Sequence, residues 1–282
     1  MSIESVLSKD LTSVRRSGAL WGVAVCLALV AAMMAYVNVG RGAPPLREAQ
    51  NAYGLLVGLI GVLVPIVAII ASYMSITGER ASGGIKFLLA FPNTRRDVFV
   101  GKLLSRLGVV SAIVLFMFVA ATAMTVARYG VFPFGVAVGV LAVTLLYAWA
   151  FVALSVACSS AAATRSQAIA ATVGSYFVLV ILNLTFRFSQ VVQLVHDVIL
   201  GFDPDPHLYA AFDYVSPYIA YQKAANLVYP TAMERNVFRF REEARESMPA
   251  YLSDEVSLVV FAAWLVIPLA LGYLRFQRSD LQ

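Results

Sequence analysis

Charge is what this sequence has least of. Asp, Glu, Lys and Arg make up only 13% of its 282 residues, about half their share in ordinary globular domains. With 60% of the residues hydrophobic, too little polar surface remains to cover a water-soluble globule. The same numbers exclude a disordered chain and a collagen-like repeat. Cysteine is nearly absent too. Cys26 and Cys158 both fall inside apolar stretches, cannot form a disulfide framework, and read as small apolar side chains. Histidine occurs only as His196 and His207, both in the segment 189–255 before the last apolar interval, so no imidazole is placed to face a serine within the bundle, which argues against an intramembrane Ser–His hydrolase.

What is abundant is uninterrupted apolar sequence. A charge at the centre of a bilayer costs about 2.5–3.5 kcal/mol on insertion scales, so spans should be long intervals free of it. Six such intervals exist: 17–40, 49–78, 107–127, 129–164, 166–186 and 256–274. They hold 24, 30, 21, 36, 21 and 19 residues, and no other charge-free interval exceeds ten. A helical crossing needs about 20 apolar residues, so each interval holds one. Runs such as 55–71 and 136–157 lack the in–out alternation of a barrel strand. The expected fold is therefore an all-α integral membrane protein, a bundle of six transmembrane helices. The spans are placed at about 18–38, 53–74, 104–127, 132–157, 167–187 and 256–274. Pro65 falls within the second and is a candidate kink. Glycines four apart, Gly18/Gly22, Gly54/Gly58 and Gly135/Gly139, are candidates for close helix contacts. No carboxylate lies inside any of the six intervals, which argues against a proton- or sodium-coupled secondary transporter.

Six spans leave both termini on one side. Residues 1–17, 75–106, 159–166 and 275–282 carry twelve Lys or Arg and five Asp or Glu, a net of +7. The other side carries nine and eleven, a net of −2. The positive-inside rule then puts the termini and the 75–106 loop in the cytoplasm. A 24-residue first interval behind a long charged lead is too long for a signal-peptide core, so no cleavage is expected. In the lead, residues 1–17, Ile3, Val6, Leu7, Leu11 and Val14 repeat at helical spacing, as in an amphipathic helix lying in the interface.

The 75–103 loop reads as a short helix over Ile85, Leu88 and Leu89, a stop at Pro92, and a restart capped by Thr94 with Asp97 three residues on. Its basic cluster would suit lipid headgroups or a protein partner. The outer segment, 189–255, opens with an apolar stretch, Val191 to Ile199, suited to an interfacial or re-entrant helix. Ser216-Pro217 marks a helix start, Tyr218, Tyr221 and Tyr229 suit the outer interface, and 233–247 reads as a solvated charged helix. His196, Asp197, Asp203, Asp205 and His207 have ligand chemistry but no compact ligand spacing, so no metal site is assigned. The polar groups within spans (Ser72, Ser111, Thr122, Thr125, Thr144, Tyr147, Ser155, Ser175, Asn183) serve helix packing at least as readily as a substrate.

The pattern Glu79-Arg80-x-Ser82-Gly83-x-x-Lys86-x-Leu88-Leu89-x-x-Pro92-x-x-Arg95-x-Asp97-x-x-x-Gly101-Lys102 resembles the signature loop of ABC-2-type transporter permeases. The likeness extends to the N-terminal lead as an elbow helix, the six spans, the large segment before the last span, and the closing Leu274-Arg275-Phe276-x-Arg278-Ser279-Asp280-Leu281. It implies a single permease domain over 1–282, in the cell membrane, whose loop forms a coupling helix docking into an ABC ATPase subunit. By that resemblance Glu79, Arg80, Ser82, Gly83, Lys86, Leu88, Leu89, Pro92, Arg95 and Asp97 contact the ATPase. A second permease subunit, as a homo- or heterodimer, and membrane lipid complete the implied partners. No nucleic acid, cofactor, metal or catalytic residue is implied, and the direction implied is export. A branch of the family serves maturation of the copper enzyme nitrous-oxide reductase, which bears on the His/Asp cluster without assigning it. Gly101-Lys102 is no P-loop, because position 96 is Arg and position 103 is Leu; hydrolysis belongs on the partner. A permease-like subunit that transmits force or signals without moving a solute would share all these features.

Overall fold

The computed structural model describes residues 8, 12, 17–37, 43–82, 94–229 and 249–278. The expected elbow helix, the 85–92 helix and stop with Gly83, Lys86, Leu88, Leu89 and Pro92, and the charged stretch 233–247 lie outside the described residues, but for Ser8, Thr12 and Ser17 of the elbow. All regular structure among the described residues is helical. Among the described residues ten α-helices run in chain order, besides a 3-10 turn at Ala250–Leu252: α1 (Gly18–Val37), α2 (Pro45–Ser72), α3 (Thr77–Ala81), α4 (Arg95–Tyr129), α5 (Phe134–Ala161), α6 (Arg165–Thr185), α7 (Phe188–Gln193), α8 (Pro206–Asp213), α9 (Pro217–Val228) and α10 (Val256–Arg278). Six are long and apolar enough to cross a membrane: α1, α2 with its extension through α3, α4, α5, α6 and α10. The protein is a multi-pass membrane protein. Wide i→i+5 turns interrupt α6 at Phe177–Ile181 and continue α7 through Leu194–Ile199.

Helix α5 is the spindle. It is apolar around its whole circumference, the pattern of a helix buried on all sides, and packs against α2, α4, α6, α9 and α10. Helix α1 lies outside, on α4 and α2. Large exposed apolar side chains, among them Leu29, Val119, Val259 and Val266, point outward and form the lipid-facing coat. Cys26 is on that outward surface and Cys158 is half-buried; both are free. We call the end carrying 73–82, 162–165 and the last turn of α10 the near end. The far end carries 130–133, 186–216 and 249–255.

Two local devices hold the bundle together. Pro65 lies inside α2, which runs on through it. A proline has no N–H to give the carbonyl four residues back, here that of Gly61, and in hydrocarbon an orphan carbonyl is costly. The Tyr147 hydroxyl of α5 donates to Gly61 O at 2.7 Å. The second device is close approach at glycine. A Cβ on Gly272 of α10 would stand 2.7 Å from Ala157 Cα and 2.8 Å from Ser160 Oγ of α5. Gly61 and Gly139 are similarly close to Tyr218 and Val228 of α9. Of the glycine pairs read from spacing, Gly139 alone is shown in such a contact; Gly18, Gly22, Gly58 and Gly135 face open space.

Those contacts bring α9 inside. Tyr218, Tyr221 and Gln222 are buried, Tyr221 completely. The Tyr221 ring stacks on Tyr147 at 4.5 Å and 13°, and its hydroxyl lies 3.1 Å from Thr144 Oγ1. Tyr147 is thirteen residues into α5, about 20 Å from the far end at 1.5 Å per residue. Tyr218 and Tyr221, expected at the interface, are therefore core residues, and α9 packs inside the bundle. Ser216 caps it by accepting from the Tyr218 N–H and anchors it by donating to Leu179 O of α6 at 2.7 Å.

Candidate functional site

At the near end the described part of the signature loop is bonded into three spans. Helix α3 is only five residues long and has no cap of its own. Ser159 of α5 supplies one: its Oγ accepts from the Ile76 and Thr77 N–H groups, both at 3.1 Å. Thr77 Oγ1 donates back to Ser159 O at 2.8 Å. Both side chains are buried, so these bonds are shielded from water and stronger for it.

Glu79 then pairs with Lys102 of α4 at 2.9 Å. The lysine side chain is 6% exposed and the carboxylate 23%, so the pair is largely desolvated and each charge depends on the other. Arg80 Nη1 donates to Ala162 O, just past the end of α5, at 3.1 Å. Its guanidinium sits 5.3 Å from the Phe276 ring centroid of α10. Arg95, in the first turn of α4, donates to Phe276 O at 2.9 Å and Gln277 O at 2.8 Å, covering end carbonyls that a helix leaves open. Phe99 of α4 packs on Tyr273 and Phe276. The capping box read from Thr94 and Asp97 is present: Thr94 N donates to Asp97 Oδ2 at 2.9 Å and Asp97 N to Thr94 Oγ1 at 3.2 Å. Ser82 Oγ donates to Glu79 O at 3.3 Å.

Glu79, Arg80 and Arg95 are thus engaged inside the chain, a role the motif alone did not show. Ser159 and Lys102 complete the cluster. Lys102 belonged to the quoted pattern, but nothing local marked it as the partner of Glu79, and Ser159 stands 82 residues from Thr77.

The far-end segment is bonded separately. His196 Nδ1 lies 3.1 Å from both Asp197 Oδ1 and the Tyr209 hydroxyl, and that hydroxyl also donates to the Asp197 carboxylate. These bonds, Tyr209's foremost, hold the Asp197 carboxyl below its ordinary range. Asp205 caps α8, accepting from His207 N at 3.0 Å and Leu208 N at 3.1 Å. Among the described residues no three His, Cys, Asp or Glu side chains come together to hold a metal. Asp213 is buried and accepts from Ser189 N at 2.8 Å; burial raises its carboxyl above the usual value. Lys223 of α9 reaches Asp254 at 3.3 Å across the Tyr214 ring. Most polar groups within the spans are committed internally. Thr122 meets Tyr53, Ser111 accepts from Trp149, and Thr125, Thr144 and Ser155 donate to carbonyls of their own helix.

Residues 5–281 match the family described as ABC-2 family transporter protein. The chain is also similar to a Pseudomonas aeruginosa protein named probable ABC transporter permease protein NosY. The two are 25% identical over 183 residues, 63% of this chain and 66% of that protein. The chain thus spans just under two thirds of that relative's length.

Proposed function

Because this chain belongs to the ABC-2 transporter family, we propose that it is the permease subunit of an ABC exporter, driven by a separate ATPase chain and paired with a second permease subunit. The segment 79–97 is the ATPase contact, with Gly83, Lys86, Leu88, Leu89 and Pro92 supplying the docking surface beyond α3. The cell membrane is its site, and the near end with both termini faces the cytoplasm. The carrying observation is that the described flank of this segment is tied to α4, α5 and α10 at once, through Glu79–Lys102, Thr77–Ser159, Arg80–Ala162 and Arg95–Phe276.

Those ties define a mechanical route. ATP binding closes the ATPase pair and displaces the loop. The Thr77–Ser159 lock passes the displacement to α5. Twelve residues along, about 18 Å at helical rise, Tyr147 holds Tyr221 of α9. A push at the near end therefore reaches α9 through one rigid element, and the bundle rocks between inward- and outward-facing states. No residue here performs bond chemistry.

Co-expression with the ATPase gene nearest in the genome tests this. Deleting residues 83–91 should abolish ATPase co-purification while six spans remain inserted. Glu79→Lys would place a second cation beside buried Lys102, and should uncouple ATP hydrolysis from transport in reconstituted vesicles. Co-purification that survives the deletion, or a full-length chain that never recovers a nucleotide-hydrolysing partner, sinks the reading.

A further inference from the structure

We propose that the near end of the α5–α10 contact is a binding site for the headgroup of one anionic phospholipid. A cavity of about 440 Å³ there is lined by Ala161, Leu271, Leu274, Arg275 and Arg278, within the size range of small-ligand sites. The four α10 residues follow i, i+3, i+4, i+7 spacing and so form one stripe. Gly272 and Phe276, on the opposite side, are buried in the bundle. The stripe changes from leucine to arginine within one turn. Leu271 and Leu274 are 63% and 49% exposed and continue the outward apolar surface of Val266 and Ile267.

The change falls where a bilayer changes from hydrocarbon to headgroup. Glu255 and Arg275 bracket the charge-free part of α10 and stand twenty residues apart, about 30 Å at helical rise, which is the thickness of the hydrocarbon core. Acyl chains would meet Leu271 and Leu274 while the phosphodiester meets the guanidinium groups, whose paired N–H donors match phosphate oxygens.

Arginines in a last turn often serve the helix's own carbonyls. Here Arg95 of α4 already covers Phe276 O and Gln277 O. Among the described residues the side chains of Arg275 and Arg278 make no hydrogen bond or ion pair, and no carboxylate lines the cavity. Two outward cations directly above exposed leucines match a phospholipid, whose anionic headgroup adjoins its acyl chains, whereas the apolar core of a protein interface is depleted of charge. Occupancy of the site does not depend on the ATPase.

Native mass spectrometry of the full-length, delipidated protein, titrated with phosphatidylglycerol or phosphatidylcholine, tests it. One phosphatidylglycerol should bind in preference to phosphatidylcholine. Arg275→Gln/Arg278→Gln should weaken that binding about 30-fold, at about 1 kcal/mol for each juxtamembrane cation. Arg275→Lys/Arg278→Lys should lose less, and carries the test if the glutamine pair cannot be purified. Phosphatidylglycerol affinity unchanged in these variants overturns the proposal. Competition by inorganic phosphate at equal concentration overturns it too. So does a glutamine variant that keeps its lipid but loses the ATPase in pull-downs, which would assign the arginines to the protein partner.

Discussion

Single side chains here answer for backbone groups far away in sequence, and their loss should read accordingly. Tyr147→Phe strands the Gly61 carbonyl that Pro65 leaves open, and an unsatisfied buried acceptor costs about 1–3 kcal/mol. Pro65→Ala restores the missing N–H, so the double variant should recover most of that loss. Unfolding of all four proteins in detergent measures the coupling, and simple additivity would refute the pairing. Asp213 contributes a pH dependence to the far end, opposite in sign to that of Asp197. Because folding raises its carboxyl above 3.8, the stability from its protonated form is complete below that value and is lost as pH rises through the raised one. Asp213→Asn keeps an acceptor for Ser189 N–H and cannot ionise. Its melting temperature should therefore gain on the wild type as pH rises from about 4, the ordinary carboxyl value, and a difference that stays constant with pH would show that Asp213 is not the titrating group.

Among the elements, α5 and α10 meet at a place with no room for a methyl group. Gly272→Ala puts a Cβ 2.7 Å from the Ala157 backbone, and the helices must part, at a cost of about 1–3 kcal/mol for an overpacked contact. Gly174→Ala, with open space around it, should be neutral or slightly stabilising. Thermal unfolding of the two variants separates them; equal behaviour would mean that the close crossing is not formed. At this scale the sequence was partly legible. The Thr94–Asp97 box and the Ser216-Pro217 start are readable because caps act within three residues. The placement of α9 was not. A tyrosine with one wet edge and a tyrosine with one buried partner have the same local sequence, and the partner of Tyr221 is Thr144, 77 residues away.

At the scale of the whole molecule, the proposed orientation makes α3 accessible from the cytoplasm. A single cysteine at Ser82, in a background with Cys26 and Cys158 replaced by Ala, should react with an impermeant maleimide in inside-out vesicles and not in intact cells. Labelling from the exterior would reverse the topology and remove the ATPase from the near end. The candidate site was legible as a motif but not as a set of contacts. Glu79, Arg80 and Arg95 stand out by type and spacing, yet the partners that engage them are distant: Lys102 by 23 residues, Ala162 by 82 and Phe276 by 181.

The sequence by itself determined the number of crossings, the helical class and the location of the loop. Each follows from a cost paid locally, of charge in hydrocarbon or of backbone groups without water, and a local cost is readable from a local window. Only the tertiary structure decided that α9 folds into the bundle, that Tyr147 repairs the break at Pro65, and that the loop's charged residues hold three helices together. Hydrogen bonds and ring contacts act over a few ångströms, and which groups come that close depends on how all the helices pack at once.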